Sequence, residues 1–455
     1  MLAAYLRRQL DAASLLRDPF LAHRLVANVY PVLAAVLGAW LMYVGFEHYT
    51  FTIHDPPSDC QLYYKGAKLI LAGKNPYTPE SVAEVGMAMG LPPTNFIWFF
   101  PLASLDLTSA REVWNSFTII GLLLMVAIIV RELRLPSPWA TTTLGFGAVM
   151  AASWMTDDHL SVGQFSVLIA LLLVLAWTYL RRGKDVRAGI MLGLALTVKF
   201  YPGIIILYLL LCRRVRLAVA AAVTWGVFAI YITTKVGIFG WQAFSEQTQP
   251  YLRAWLAHIR NGSLQGVIYR LKYPLCDFQA GSHPIWKTGS TIASILSLAL
   301  IASTWWLCRK EAAKSDTVDV PFALFTCVAI ITGPYTWEHY AVTLVLPIFV
   351  TLLGLFVAFR RGLHGAWALA GLAVVGVVVA MLGVDEKIKG FVWEAYPSNH
   401  ALHATLHFYD AVSWLPAPLL IVVLVLLVRS RRVIVLAVVP PDDADGPETL
   451  AAPHG

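Results

Sequence analysis

RAGIMLGLALTVKFYPGIIILYLLLCRRVR, residues 187–216, decides the fold. Taken whole, it is an apolar helix of spanning length. Basic residues stand at both ends: Arg187 before it, and Arg213, Arg214 and Arg216 after it. A single crossing would put one of these groups outside, against the rule that short cytoplasmic loops collect Lys and Arg. A break at Tyr201-Pro202-Gly203 removes the conflict, because two short half-helices bring the chain back to the side it left. Proline deletes a helix hydrogen bond, and broken helices at membrane depth line polar cavities. The stretch therefore predicts a split helix with Lys199 near the break.

The rest of the chain fits outward from this point. Of its 455 residues, 58% are hydrophobic and 13% charged, where a soluble domain carries about 25% charged residues. Apolar runs of about 20 residues recur, so the chain reads as an all-α, polytopic membrane protein. Short alternating strands of the barrel kind are absent from the pattern. The net charge of +7 sits in short loops and forms no separate basic face, which argues against nucleic acid as a partner. Upstream, spans are predicted near 27–47, 111–131, 138–155 and 162–180; downstream, near 215–236, 285–308, 319–337, 340–360, 364–384 and 411–430. With the split helix this makes about twelve, both termini inside, and every basic cluster falls on one side. Residues 1–25 read as an amphipathic helix on the cytoplasmic surface. Residues 439–455 read as a disordered cytoplasmic tail, and 1–438 as one integral-membrane domain. The run 29–46 is too long for a signal-peptide core and is expected to remain as an anchor.

Two long external segments, 48–110 and 237–284, are expected to carry short helices. In the first, Asn95-Phe96-Ile97-Trp98-Phe99-Phe100-Pro101 is apolar but short, and reads as re-entrant or interfacial. Ionisable residues near spans are functional candidates. The external mouth collects Asp55, Asp59, Asp157, Asp158, His159, Glu338 and His339, with Lys199, Arg253, Arg260, Arg270 and Lys272 as cations. Carboxylates and histidines ringed by cations suit a substrate that is both phosphorylated and hydroxylated. Bland readings stand beside these. Asp59 could cap the helix that carries Tyr63, Asp55 reads as a turn residue, and Lys199 could snorkel. Cys60 and Cys276 could pair or be two unpaired residues. His400, His403 and His407 could share a helical face and hold a metal, but an interfacial helix explains them more cheaply. Asn261-Gly262-Ser263 fits the glycosylation sequon, a motif common by chance.

Several motifs are similar, in order and spacing, to a known family. They are Ser58-Asp59 with Tyr63-Tyr64; Gly73-Lys74-Asn75-Pro76-Tyr77; Pro101-Leu102-Ala103 before Val113-Trp114; Gly163-Gln164-Phe165-Ser166; Ala188-Gly189 with Gly193, Lys199 and Pro202; Asn261-Gly262-Ser263; and Trp337-Glu338-His339-Tyr340. The chain resembles the integral-membrane, GT-C-type glycosyltransferases that use a polyprenyl-phosphate sugar. Within them it resembles the bacterial polyprenyl-phosphate-mannose-dependent α-mannosyltransferases, to which the mycobacterial enzymes that extend phosphatidylinositol mannosides belong. The resemblance implies inverting transfer of a hexose, mannose by family, from the lipid phosphate to a hydroxyl of a lipid-linked or glycolipid acceptor. It implies Asp59 and His339 as catalytic residues, on the external side of the cytoplasmic membrane.

The residues suit that chemistry. A positioned carboxylate can take the proton of a sugar hydroxyl as it attacks the anomeric carbon. Lys199, Arg260 or Arg270 could stabilise the departing lipid phosphate. Tyr63, Tyr64, Asp158, His159, Gln164, Trp337 and Glu338 complete the expected substrate contacts. Nothing in the motifs demands a metal or cofactor. A transporter or flippase of a lipid-linked saccharide is the competing reading. It would be expected to show an internal repeat and midplane polar residues, and neither is evident. A non-catalytic scaffold would not need the external charges.

Overall fold

The computed structural model describes residues 19–52, 59–85, 90–152, 158–248, 255–256, 258, 261–273, 286–360 and 416–429, with 371, 374 and 376 between the last two. Among the described residues the chain is helical throughout. The first helix, α1 (Pro19–Thr52), runs straight through the first expected span; residues 1–18 lie outside the described residues. The expected boundary between a surface helix and a span is therefore not at residue 26, because Pro19 is a favourable helix start and no breaker follows it until the span is under way. The first segment expected to be external carries α2 (Asp59–Leu71), α3 (Pro79–Val85) and a 3₁₀ stretch, Pro93–Leu102. Then come α4 (Leu107–Glu132), α5 (Pro138–Ala151), a π-helical turn at Asp158–Val162, and α6 (Ser166–Arg181). The split pair is α7 (Asp185–Val198) and α8 (Pro202–Leu211). After it follow α9 (Val215–Ala243), α10 (Leu264–Lys272), α11 (Lys287–Cys308), α12 (Asp319–Thr332), a second 3₁₀ stretch (Glu338–Leu344), α13 (Val345–Arg360) and α14 (Pro416–Arg429).

Among the described residues, five segments are long and apolar enough to cross a bilayer: Val29–Phe46, Leu107–Glu132, Val215–Glu246, Lys287–Cys308 and Glu338–Ala358. Ser166–Arg181, Pro202–Leu211, Asp319–Thr332 and Pro416–Val428 are apolar but shorter. The protein is a membrane protein, and these segments lie where the hydropathy placed them. The expected span 364–384 and the tail from 439 fall outside the described residues, apart from 371, 374 and 376. Val36, Trp40, Ile230 and Leu298 turn large apolar side chains outward, as a lipid-facing surface requires.

The break between α7 and α8 reverses the chain. Gly189 of α7 lies against Leu217 and Ala220 of α9, and Gly193 against Ala221 and Thr224. Residue numbers rise together on both helices, so α7 and α9 run parallel. The helix between them, α8, must run back. Arg214, at the start of α9, hydrogen-bonds Asp185, at the start of α7, at 2.5 Å. At α7 and α8 lengths of roughly 21 and 15 Å, neither half crosses a bilayer core of about 30 Å. In lipid, helices gain little from apolar burial against one another, so close backbone approach at small residues carries more of the association. The contact of Gly189 and Gly193 with α9 is of that kind.

The two ends of the bundle are chemically distinct. At one end Arg181 and Arg182 pair with Glu132, Arg181 also with Asp319 at 3.2 Å, and Trp177 donates to Asp319 at 2.8 Å. Arg214 joins them through Asp185 and the Ala312 carbonyl, at 2.9 Å. The turn that opens α6, about 24 Å along that helix from Arg181, holds the candidate site.

Candidate active site

Four separate stretches of chain converge on one cluster, linked from Asp59 through Gln164 to Lys199 and His339. Asp59 is the first residue of α2, where a negative charge favours the helix N-terminus. The Gln164 side chain donates through Nε2 to Asp59 Oδ2. Tyr63, one turn further along α2, places its hydroxyl 3.4 Å from the same Oδ2 and 3.3 Å from Gln164 Oε1. The bland reading of Asp59 as a local helix cap is thus incomplete, since its carboxylate bonds a residue more than a hundred positions away.

Gln164 is held by backbone geometry. Gly163 adopts φ +81°, a conformation that side chains rarely take. A Cβ there would sit 2.4 Å from the Cβ of Cys60, the residue after Asp59. The turn before it is fixed from α4: Arg111 donates to the Ser161 carbonyl at 2.8 Å, Asn115 to Leu160 at 3.0 Å and Trp114 to Gly163 at 3.1 Å. The helix α4 starts where Asp106 accepts from the Ser109 amide at 3.0 Å, a cap that also holds the Asp106 carboxyl below the usual carboxylate pKa.

The broken helix supplies the cation. A helix end leaves backbone carbonyls without partners. Here Thr94 donates to the Thr197 carbonyl at 2.7 Å and Asn95 to that of Val198 at 3.4 Å; Trp98 donates to the Thr197 hydroxyl at 3.0 Å. The 3₁₀ stretch expected to be re-entrant or interfacial therefore caps α7. Lys199 follows in extended conformation and is buried. Its ammonium lies 3.4 Å from Gln164 Oε1, 3.4 Å from His339 Nε2 and 4.1 Å from the centre of the Tyr340 ring.

His339 and Tyr340 open the second 3₁₀ stretch. With Lys199 as donor, His339 Nε2 accepts, which puts the ring proton on Nδ1. His159 is fully buried and reaches the His339 carbonyl through Nε2 at 2.9 Å. The approach to this stretch is set by Asn261. It donates to the carbonyls of Leu256 at 3.1 Å and Pro334 at 3.3 Å, and accepts from the amides of Ser263 and Thr336, each at 3.1 Å.

Burial and the adjacent Asp59 charge hold the Tyr63 phenol well above its ordinary range, so it stays a donor. Burial pushes the Cys60 thiol up to about 12, with Arg111 opposing and Asp59 adding to the shift. The cluster can therefore present one carboxylate with two donors on it and one ammonium oriented by an amide, an imidazole and an aromatic face.

Of the expected site residues, Asp59, Tyr63, His159, Gln164, Lys199 and His339 come together. Others are placed differently. Tyr64 donates to the Leu105 carbonyl at 2.6 Å and accepts from Lys68, which ties α2 to the loop before α4. Arg270 directs its guanidinium to the carbonyls of His258 at 2.9 Å and Asn261 at 2.8 Å, and desolvation lowers its pKa to about 10. Through Nη1 it clamps the loop before the second 3₁₀ stretch, while its Nη2 is buried without a partner among the described residues. Trp337 packs against Trp255 at 5.7 Å and His258 at 5.2 Å, and Glu338 is half-buried beside the cluster's His339. Arg260, Arg253, Asp55, Asp157 and the three histidines His400, His403 and His407 lie outside the described residues, as does the side chain of Asp158. Cys60 is a free, buried thiol, and Cys276 lies outside the described residues. Among the described residues no group of three or more His, Cys, Asp or Glu side chains gathers as metal ligands do. Tyr340 and Arg111 were missed as site candidates, although Tyr340 belongs to a quoted motif. The fully buried Asn261 is no sequon acceptor but a loop staple.

The family model for Glycosyltransferase family 87 matches residues 91–333, just over half of the chain. The chain belongs to glycosyltransferase family 87. As a member of family 87 with apolar spanning helices it is a membrane glycosyltransferase, and the resemblance drawn from its motifs is borne out. The match contains Gln164 and Lys199, while Asp59 and His339 flank it. The polyprenol-phosphate-mannose-dependent alpha-(1-2)-phosphatidylinositol mannoside mannosyltransferase of Mycobacterium tuberculosis is 25% identical over 384 residues, covering 80% of this chain and 84% of its own. The protein of the same description from Mycolicibacterium smegmatis is 25% identical over 370 residues, covering 74% and 78%. No solved structure matches the chain.

Proposed function

We propose that this family 87 member transfers a hexose, mannose by analogy with those two relatives, from a polyprenyl-phosphate sugar to a hydroxyl of a glycolipid or lipid-linked acceptor. The transfer inverts the anomeric centre and takes place on the outer face of the cytoplasmic membrane. The observation that carries this reading is the Asp59–Gln164–Lys199 arrangement, in which one amide joins a carboxylate to an ammonium, with His339 on the ammonium's other side.

In the reaction the acceptor oxygen attacks the anomeric carbon and gives its proton to Asp59. The bond from that carbon to the phosphate oxygen breaks, and the electron pair leaves with polyprenyl phosphate. Lys199 stabilises the charge that grows on the phosphate, as fixed donors do for developing anions in sites shielded from water. His339 orients Lys199 and the acceptor. A single displacement uses one base, and the scheme assigns each step to side chains of this chain and the lipid donor. The arginine-rich end of the bundle supports the outward orientation, since the site lies at the other end.

The test is to incubate purified protein with radiolabelled polyprenyl-phosphate mannose and a glycolipid acceptor, phosphatidylinositol mannoside first, and to determine product and anomeric configuration by mass spectrometry and NMR. A glycolipid one hexose longer, with inverted configuration, is expected. Retention of configuration, or movement of intact donor across sealed vesicles without transfer, would overturn the proposal; the second result is the transporter reading.

A further inference from the structure

The two ends of the Gln164 side chain bond both charged groups of the site. Its Nε2 donates to Asp59, and its Oε1 accepts from Lys199 at 3.4 Å and lies 3.3 Å from the Tyr63 hydroxyl. The amide orientation is fixed by these partners. Turned over, its NH₂ would face an ammonium and its oxygen a carboxylate. The side chain is buried, and its backbone is locked by the positive φ of Gly163 and by the contact of Gly163 with Cys60. Its own carbonyl faces His159 Nδ1 at 3.4 Å. A group so tied down has little freedom left to follow a moving substrate.

We propose that Gln164 is a positioning residue for the transfer: its amide aims the Asp59 carboxylate at the acceptor hydroxyl and sets the distance from that carboxylate to the Lys199 ammonium. The proposal rests on the reading of Asp59 as the base. It differs from a substrate-contact role in what it predicts kinetically. A contact residue sets binding, whereas a positioning residue sets the turnover step and the acidity of the base.

Among the described residues, the groups around Asp59 include Tyr63 and Cys60 from its own helix, Gln164 from the turn and Tyr340, with Arg111 of α4 acting on Cys60 and with Lys199 and His339 beyond the amide. Of these, Gln164 is neutral, and so it can be changed without deleting a titrating group. Replacement by glutamate keeps shape and both accepted hydrogen bonds. It removes the donor to Asp59 and sets a like charge beside it, both of which favour the protonated acid.

The decisive experiment is the pH profile of kcat, with KM for the donor, for the wild type, Gln164→Glu and Gln164→Met. For Gln164→Glu the acid limb of kcat is expected to move up by about one pH unit or more, with kcat at pH 7 falling at least tenfold and recovering at higher pH. KM is expected to stay within about threefold for both variants. An unshifted acid limb, or a loss confined to KM, would overturn the proposal. If Gln164→Glu fails to fold, Gln164→Met decides: a lower kcat with unchanged KM supports the role, and raised KM alone refutes it. Asp59→Asn is run in parallel. If Asp59→Asn is active, the base assignment itself fails; if it is inactive while Gln164→Glu behaves as wild type, only the role of Gln164 fails.

Discussion

Replacing Gly163 by alanine should disable the site without touching a reacting group. Two costs can be worked from the structure. The φ of +81° places an L side chain in the left-handed region, which costs about 1–2 kcal/mol. The new Cβ also meets the Cys60 Cβ at 2.4 Å, where ordinary contact begins at 3.4 Å, so the two backbones must part by about 1 Å. Asp59 precedes Cys60 and Gln164 follows Gly163, so this separation falls on the Asp59–Gln164 hydrogen bond. A misplacement of about 1 Å can lower turnover by about a hundredfold. The assay is kcat for sugar transfer by Gly163→Ala protein that passes size-exclusion chromatography, with its thermal midpoint alongside. The double variant Cys60→Gly/Gly163→Ala removes the clash but keeps the φ cost, and should recover part of kcat. Wild-type turnover in Gly163→Ala would refute the argument that this turn positions the site, and so would a double variant no better than the single one.

Three further expectations follow. Asn261→Ala should lower thermal stability, because it leaves buried amides and carbonyls without partners at about 1–3 kcal/mol for each unsatisfied group; an unchanged midpoint would refute the staple, and the Asn261 side chain should carry no glycan by mass spectrometry. With its thiol held near 12, Cys60 is protonated at pH 8 and becomes reactive only as pH climbs toward that value, so a variant with Cys60 as its sole cysteine should resist maleimide in native membranes and react after SDS; labelling of the folded protein would refute the packing. Asp319→Asn breaks a buried pair with Arg181 and should cost about 3–5 kcal/mol, seen as lost folded yield, while turnover per folded molecule is unchanged; a fall in turnover at full yield would contradict the assignment of that end to structure.

The split at Tyr201-Pro202-Gly203 was legible because charge at both ends and proline in the middle are local signals, and α7 and α8 meet there as read. Asp59, Lys199 and His339 were legible because a charge near a membrane span is costly enough to demand a reason. What the residues do to one another was not legible. Thr94 and Asn95 cap a helix about a hundred residues away, and Asn261 bonds a turn more than seventy residues away; no periodicity records such partners. Arg270 was chosen for its charge, and its bonds to two carbonyls through Nη1 were not legible; its buried Nη2 bonds no side chain or carbonyl among the described residues. Gln164 was reached through its motif as an expected substrate contact, but that its amide joins the Asp59 carboxylate to the Lys199 ammonium was not legible.

The most direct measurement compares Asp59→Asn with the wild type in two assays on one preparation: binding of polyprenyl-phosphate mannose, and its transfer to acceptor. Donor affinity within about threefold of wild type, with turnover reduced by about a hundredfold or more, is the expected result for loss of a general base. Turnover close to wild type with the carboxylate gone would contradict the account at its centre.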